Sequence, residues 1–323
     1  VWPELTHASG VNHLPFVKAG AIKFVSTFRN QLAPGLGGAG AVDAAHFSQL
    51  FEVLVQHLAA ESSVVHTYAA RAIERMLVIK GPPAAPGAPP PPPPFGRAQL
   101  QPQLESVFTA LFSLCEKLLP KENEYVMKAI MRVLHVAGSD LVAHAGMVIE
   151  RLSAIMGRIA ANPTNPSFSH FLFESVAALV DHGCRPNPQN VAGFEHLLFP
   201  PFNKVLELNV DALMPYVFQI LAQLLELRQG GLGAGFGAMF EPMLKAAVWE
   251  TRGNVPAAAR LISAYLNKGA AEAAVTAKLE GVLGIFQKLL ASKANEEYAF
   301  AILRSLITSF ELRAFEAYVP TIM

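Results

Sequence analysis

The sequence has no surplus of either charge, and this absence excludes several classes of protein. Its 323 residues carry 25 basic and 25 acidic side chains, and only 15% of all residues are charged. Proteins that bind nucleic acid usually need a basic surplus to neutralise phosphates. Disordered chains combine low hydrophobicity with high net charge, whereas 52% of this chain is hydrophobic. We therefore expect a folded protein that does not bind nucleic acid.

Cysteines and long apolar runs are also scarce. Cys115 and Cys184 are too few for a secreted disulfide framework, so a reducing compartment is predicted. The most apolar stretch without a Gly or Pro bias, residues 133–149, contains Asp140 and two histidines. A membrane-spanning helix needs about 20 mostly apolar residues, so no membrane insertion is expected. The chain begins with Val1, and residues 317–323 resemble an interrupted helix, which predicts a piece of a longer protein.

Motifs for cofactors and phosphates are weak or missing. Residues 35–40 (GLGGAG) match the dinucleotide pattern G-x-G-x-x-G, and residues 233–238 match its looser form. That pattern binds pyrophosphate only where it follows a strand and opens a helix. Both stretches follow predicted helices here, so we interpret them as flexible connectors. No P-loop sequence occurs, and we predict no cofactor.

Motifs for metals and catalysis are equally poor. The ten histidines are dispersed, and no His/Cys set has zinc-site spacing. His182-Gly183-Cys184 is predicted to end a helix, with Gly183 as an ordinary cap after the last turn. The carboxylate pairs Glu122/Glu124 and Glu296/Glu297 open predicted helices, which favours capping over acid–base chemistry. The sequence therefore predicts no catalytic residue and no metal site.

Helical periodicity fills most of the chain. Apolar residues recur at helical spacing in four clear stripes, within 65–76, 126–137, 213–225 and 298–309. The nearest candidate for a strand, residues 22–25, also fits a helix over residues 16–32. No other series indicates a strand.

The predicted helices come in pairs at a regular spacing. The second helix of each pair is expected to begin near Leu14, Ser62, Glu122, Ser167, Asn209, Asn254 and Asn295. All but one of the spacings fit HEAT or armadillo repeats of about 40–47 residues. We therefore predict an all-α, right-handed HEAT-repeat superhelix of about six to seven helical hairpins. Residues 1–323 would form a single solenoid segment of a longer chain.

The one long spacing contains a Pro-rich insertion at residues 81–97, with six consecutive prolines from Pro89 to Pro94. Such a run favours extended polyproline II. It could dock an SH3, WW or profilin-like partner, or it could be a solvated insert between helices. Arg97 lies one place away from the position that an SH3 ligand prefers, so the solvated insert is favoured.

Polar side chains on the second helices are the best candidates for a binding surface. In a solenoid these helices usually line the concave face, where a protein partner sits. The alternative is a solvated face with hydrogen bonds between repeats. The candidates are Arg71, Arg75, Lys128, Arg132, Asn165, His170, Glu174, Arg252, Asn254, Arg260, Lys288 and Lys293, and we expect charge reversal at Lys128, Arg132 and Arg252 to weaken partner binding.

Several segments carry a more specific likeness. Residues 64–75 (VVHTYAARAIER), 122–132 (ENEYVMKAIMR) and 249–256 (WETRGNVP) resemble the CAS exportins, the importin-alpha re-exporters of the importin-beta superfamily. The same family is matched at residues 18–31, 165–174, 215–219 and 284–295. The resemblance runs from about Asn12 to Ser309 without a change of register.

The resemblance implies a nuclear export receptor that shuttles between nucleus and cytoplasm through the pores of the nuclear envelope. Its partners would be RanGTP and importin-alpha, with nuclear pore proteins as further contacts. It would catalyse nothing, and this chain would be its middle third. The Pro-rich insertion and the Gly-rich stretches depart from the family pattern. The alternatives are a generic HEAT scaffold or adaptor without a Ran link, and a nucleotide-cofactor enzyme that uses the Gly-rich stretches.

Overall fold

A computed structural model describes residues 1–84, 87–89 and 91–316. In these residues the regular elements are α-helices and short 3-10 helices, without a β-strand. The interrupted helix predicted at residues 317–323 lies outside them. The α-helices are α1 (Trp2–Leu5), α2 (Pro15–Thr27), α3 (Arg29–Leu32), α4 (Ala44–Gln56), α5 (Ser63–Met76), α6 (Arg97–Leu100), α7 (Leu104–Leu118), α8 (Glu124–Ala137), α9 (Ala145–Ile159), α10 (Pro166–Cys184), α11 (Val191–Glu207), α12 (Met214–Leu227), α13 (Gly233–Met243), α14 (Ala246–Glu250), α15 (Val255–Lys268), α16 (Ala273–Thr276), α17 (Leu279–Leu290) and α18 (Glu296–Ser309). The 3-10 helices are Gly38–Gly40, His57–Ala59, Gln101–Gln103, Gly138–Ala143, Pro188–Asn190, Lys293–Asn295 and Leu312–Ala314.

The chain divides into two compact units. Unit 1 comprises Val1–Ile155 and Thr164–His182, and unit 2 comprises Met156–Pro163 with the residues from Gly183 onward. Each unit is built from helical pairs, such as α4 with α5 and α7 with α8 in unit 1. That the whole chain forms a single solenoid segment stays a prediction.

The core of unit 1 lies along α5, which packs between α2 and α8. The stripe predicted for this helix is fully buried, at Val65, Ala69, Ala72, Ile73 and Met76. Small alanine side chains allow neighbouring helices to approach closely on two sides. The helical period of the sequence thus predicted correctly which face of α5 is buried.

The core of unit 2 lies along α15, which packs between α12 and α18. Tyr265 at its centre is fully buried, and its hydroxyl donates a hydrogen bond to the carbonyl oxygen of Phe236 on α13 at 2.9 Å. Burial raises the pKa of Tyr265, so this hydroxyl stays protonated and remains a donor.

The second Gly-rich stretch is more than the predicted connector, because α13 begins at Gly233. Three glycines in its first five residues make this a poor helix by intrinsic propensity. Phe236 is nevertheless fully buried and packs edge-on against Phe199 and Tyr265. Aromatic packing therefore outweighs the low propensity.

Six of the seven predicted second-helix starts lie within two residues of the observed ones, but the start near Asn209 is wrong. The backbone of Asn209 is left-handed, with φ of 48°. The N–H of Asn209 donates to the carbonyl of Leu206, and that of Val210 donates to Val205. This is the Schellman pattern that ends a helix. Asn209 therefore closes α11, and α12 begins only at Met214.

The helix predicted over residues 16–32 is divided into α2 and α3 at Phe28. The hydroxyl of Thr27 donates to the carbonyl of Lys23 at 2.8 Å, and Arg29 Nη1 donates to the carbonyl of Ser26 at 3.1 Å. Threonine hydroxyls that bond back to the preceding turn bend helices. Arg29, which belongs to the surface described below, is therefore the first residue of α3.

The described residues between α5 and α6 form no helix, in keeping with an insertion. The backbone of Gly87 has φ of 80°, a left-handed conformation, so the chain is not extended at this residue. A Cβ on Gly81 would lie 2.5 Å from the carbonyl oxygen of Pro91, so the two arms of the insertion are adjacent. Phe95 then anchors the chain by stacking on Phe51 at 4.3 Å.

Candidate partner-binding surface

Asn165 holds two successive second helices of unit 1 together. Its Oδ1 accepts from the N–H of Phe168 at 3.1 Å, which caps α10. Its Nδ2 donates to the carbonyl of Glu122 at 3.2 Å. The Glu122 carboxylate accepts from the N–H groups of Thr164 at 2.9 Å and Asn165 at 2.7 Å. Glu122 therefore holds the backbone just before the helix of the next repeat, and the capping role predicted for it in its own helix is wrong.

The actual cap of α8 is Asn123, whose Oδ1 accepts from the N–H groups of Tyr125 and Val126. Its Nδ2 also donates to the hydroxyl of Thr67 on α5 at 2.8 Å. These Asn and Glu side chains thus join repeats, which leaves them little capacity to bind a partner.

Asn254 in unit 2 is also structural. It is fully buried, and its Nδ2 donates to the carbonyl of Val248 at 3.3 Å. Arg252, two residues earlier, lies exposed in the loop before α15. Lys293 is exposed in the 3-10 helix before α18. Of these three candidates, Arg252 and Lys293 are accessible to a partner.

The remaining candidates of unit 2 each have an acidic partner of their own. Arg260 Nε and Nη2 donate to the two carboxylate oxygens of Glu226 at 2.9 and 2.7 Å, and this contact raises the pKa of Arg260. Lys288 Nζ lies 3.6 Å from Glu250. Paired in this way, both cations present a locally neutral surface.

Basic candidates of unit 1 converge on one carboxylate instead. Glu74 on α5 lies 3.9 Å from Lys128 Nζ and 3.6 Å from Arg132 Nη2, both on α8. Its side chain is only 10% exposed. The charge of Glu74 also favours the charged form of Arg29, whereas the charge of Arg75 disfavours it. We call Glu74, Arg29, Arg75, Lys128 and Arg132 the Glu74 cluster.

Electrostatics within the Glu74 cluster are unbalanced. Burial and the nearby charge of Arg75 lower the pKa of Arg29, while Glu74 opposes them. Arginine stays protonated in proteins, so the lowered pKa reports an unfavourable environment and not a loss of charge. The Glu74 cluster therefore contains four cations and one carboxylate.

Aromatic rings border the Glu74 cluster. Lys128 Nζ lies 5.3 Å from the centroid of the Phe171 ring, and Arg71 Cζ lies 5.8 Å from that of Tyr125. Such cation–π contacts hold a cation without neutralising it. His170 is exposed beside Phe171, and Glu174 is half-buried further along α10.

Arg29 and the role of Glu122 were missed by reasoning from the sequence. Arg29 lies 46 residues before Arg75, which is one repeat length, and this spacing could have indicated it. Glu122 precedes the cap residue Asn123 and so lies outside the first turn of α8. Its position could have excluded a capping role in its own helix.

The sequence motifs that suggest cofactor binding or catalysis lie in structural contexts that do not support these functions. Residues 35–40 follow helix α3 and not a strand, so the dinucleotide pattern lacks its structural context. Helix α10 continues through Gly183 to Cys184, so Gly183 does not cap it as predicted. Burial, followed by the charge of Glu195, raises the pKa of Cys184 to about 12. Such a thiol is protonated at neutral pH and a poor nucleophile.

Comparisons with known proteins agree with this helical architecture. The family model described as "CAS/CSE protein, C-terminus" matches residues 74–323, and the model "Cse1" matches residues 1–73. The chain belongs to the CAS/CSE family. Among curated relatives, Exportin-2 of Oreochromis niloticus is 38% identical over 309 residues, and Exportin-2 of Homo sapiens is 36% identical over 320 residues.

These matches cover 95% and 98% of this CAS/CSE chain, but 30% and 31% of the relatives. The chain therefore spans about a third of their length. A solved structure of "The exportin Cse1 in its cargo-free, cytoplasmic state" has a TM-score of 0.78 and 28% identity, over 99% of this chain and 30% of that one. The predicted HEAT-repeat class is confirmed by this likeness. In the described residues, no helix is long and apolar enough to cross a bilayer.

Proposed function

We propose that the parent protein is a nuclear export receptor that carries importin-alpha to the cytoplasm in a RanGTP-dependent complex. The observation that carries this proposal is a likeness to relatives named Exportin-2 along nearly the whole chain. The similar Cse1 structure is of a cargo-free, cytoplasmic state, which supports a protein that alternates between compartments. The receptor would pass the nuclear pore, contact pore proteins there, and catalyse no reaction.

Such a receptor works through binding free energy alone. RanGTP and cargo each bind more tightly when the other is bound, and a typical coupling is about 1–3 kcal/mol. A HEAT array suits this function because each repeat contacts only its neighbours. Small rotations between repeats then change the binding surface without unfolding any of them.

The second helices would supply the partner surface of this segment. In unit 1 its basic residues are Arg71, Arg75, Lys128 and Arg132, and in unit 2 the best placed are Arg252 and Lys293, which are exposed just before the second helices α15 and α18. Asn165 and Asn254 have structural hydrogen bonds and are weaker candidates. Arg260 and Lys288 are weaker candidates because each already pairs with a carboxylate.

A pull-down with the intact parent protein tests the function. We expect immobilised parent to retain importin-alpha when Ran carries a GTP analogue and to release it when Ran carries GDP. Retention that is indifferent to the Ran nucleotide would contradict the export function and favour a scaffold. The variant with Lys128, Arg132 and Arg252 each changed to Glu should retain less importin-alpha with little loss of stability. A lower melting temperature with unchanged retention would assign these residues a structural role.

A further inference from the structure

The Glu74 cluster carries more positive charge than its own carboxylate can neutralise. Lys128, Arg132 and Arg29 interact with the single carboxylate of Glu74, and Arg75 adds a fourth positive charge that acts on Arg29. Bringing like charges together is unfavourable, and the cost increases where water is excluded. An arrangement of this kind becomes favourable when a partner supplies further negative charge.

The cations are held near Glu74 but not bonded to it. The distances of 3.9 Å from Lys128 and 3.6 Å from Arg132 exceed those of N–H···O hydrogen bonds. The buried Nε atoms of Arg29 and Arg132 have no hydrogen-bond partner among the described residues. The protein therefore does not satisfy these two guanidinium groups fully, and a partner's carboxylate can add charge-assisted bonds at the exposed part of the Arg132 side chain, which is 30% accessible.

A cavity of about 490 Å³ adjoins the cluster at Arg29. Lys80 contributes a second cation to its lining, and Asn30 and Gln31 contribute amide groups. Ammonium, guanidinium and amide groups all donate hydrogen bonds, and the lining described here contains no carboxylate. The cavity is therefore a second position, at the Arg29 end of the cluster, where an anionic group could bind.

The spread of these charges determines what kind of anion fits. The four cations belong to three successive segments of unit 1, namely α3, α5 and α8, and packed helices lie about 8–10 Å apart. One small anion cannot reach all of them. Several carboxylates along one polypeptide can, since side chains on one face of an extended segment repeat at about 7 Å.

We propose that the Glu74 cluster binds an acidic segment of a protein partner. Two or more Asp or Glu side chains of that segment would bond to Lys128, Arg132 and Arg29, and one would enter the cavity at Lys80. This inference rests on the proposed function only in treating the second helices as a partner surface.

The test uses the intact parent protein and a fluorescent oligoglutamate peptide, with binding followed by anisotropy at low salt. Changing Lys128 and Arg132 together to Gln should weaken peptide binding by about tenfold or more, as expected for loss of close charge pairs. Lys278→Gln is the matched control, because it removes an exposed cation of unit 2 that pairs with Glu241. We expect this control to bind the peptide like the wild type.

Glu74→Gln gives the sharper result because it removes the competing carboxylate and keeps every cation. We expect this variant to bind the peptide about threefold to tenfold more tightly, since the close like charges then lack a counter-charge. A merely structural cluster would lose stability in this variant without any gain in affinity. Unchanged or weaker binding by a folded Glu74→Gln protein would overturn the proposal.

Two further arms identify the ligand. A neutral glycine–serine peptide of the same length should not bind. Inorganic phosphate at matched charge should compete poorly, and full displacement by phosphate would show a simple anion site and overturn the proposal. The two proposals can fail separately. If peptide binding depends on the cluster but retention of importin-alpha does not depend on the Ran nucleotide, the export function is contradicted and this inference is supported.

Discussion

One group of basic residues in each unit shows two opposite ways of placing positive charge. In unit 2, Arg260, Arg228 and Lys288 each have a carboxylate of their own. In unit 1, Lys128 and Arg132 share Glu74. The whole chain carries equal numbers of acids and bases, so this difference lies in placement and not in composition.

The comparison shows that a repeat architecture does not fix the charge of its surface. Glu226 lies on α12, the helix next to that of Arg260, so the pair joins two repeats. On α5 the residue that would play this part, Glu74, lies near two cations of α8 and also interacts with Arg29 of α3. One additional acid per repeat is therefore enough to turn a basic partner surface into a neutral one.

The largest expected effect comes from breaking the most buried pair of unit 2. Arg228 Nη1 donates to Glu195 Oε1 at 2.7 Å, and the two side chains are only 23% and 13% exposed. We expect Glu195→Gln to destabilise unit 2 by about 2–4 kcal/mol, because it leaves a partly buried guanidinium without its counter-charge. Hydrogen exchange of the α11 and α12 amides measures this. Protection like that of the wild type would show that the pair contributes no stability.

The next effect concerns the joint between repeats in unit 1. Glu122→Ala removes the acceptor of two backbone N–H groups before α10, so we expect a loss of about 1–2 kcal/mol. Glu296→Ala is the control, because that exposed carboxylate only opens α18. Exchange should accelerate at the start of α10 and hardly change in α18. Equal acceleration in both helices would contradict a joint at Glu122.

Two smaller effects, of opposite sign to each other, distinguish the paired arginine of unit 2 from the Glu74 cluster of unit 1. Arg260→Gln should destabilise unit 2 by about 0.5 kcal/mol, because it loses an exposed ion pair. Arg75→Gln should stabilise unit 1 by a similar or smaller amount of about 0.2–0.5 kcal/mol, because it relieves repulsion with Arg29. At high salt, both variants should differ less from the wild type in their free energy of unfolding, because salt screens the interactions. Destabilisation by Arg75→Gln at low salt would contradict a surplus of charge in the Glu74 cluster.

The smallest expected effect is a pH dependence of unit 1. Burial and the charge of Lys18 lower the pKa of His57 below 6.5, although the bond of its Nδ1 with the carbonyl of Val53 opposes this. The unfolded chain then binds a proton that the folded chain rejects. Stability is therefore full above pH 6.5 and falls as the pH drops from there towards the folded pKa. Thermal unfolding of wild type and His57→Gln across this range should show a slope only in the wild type. An equal slope in the variant would assign it to other groups.

Much of the fold could be predicted because helical periodicity reports burial locally. The stripe from Val65 to Met76 is buried as the pattern predicts. The errors occur where contacts distant in sequence override local signals. Asn209 resembles a helix start but closes α11 in a left-handed conformation. The glycines from Gly233 resemble a connector but form a helix, because Phe236 is anchored on Tyr265, 29 residues away.

The candidate surface could be predicted only as a set of residue types. Spacing places Lys128 and Arg132 on one face of a helix, but it does not give their common partner on another repeat. Arg260 pairs with Glu226, which lies 34 residues earlier, and a local sequence pattern cannot predict this pairing either. Arg29 was missed because the charges that act on it, Glu74 and Arg75, lie one repeat later in the chain.

By itself the sequence determined the all-α class, the repeat length and the family, since these depend on periodicity and on motifs contiguous in the chain. Only the tertiary structure decided which charges are neutralised. Coulomb energies depend on distances and on burial, and both are set by how one repeat packs on the next. Equal numbers of acids and bases therefore produced balanced pairs such as Arg260 with Glu226 in unit 2, and an unneutralised basic cluster around Glu74 in unit 1.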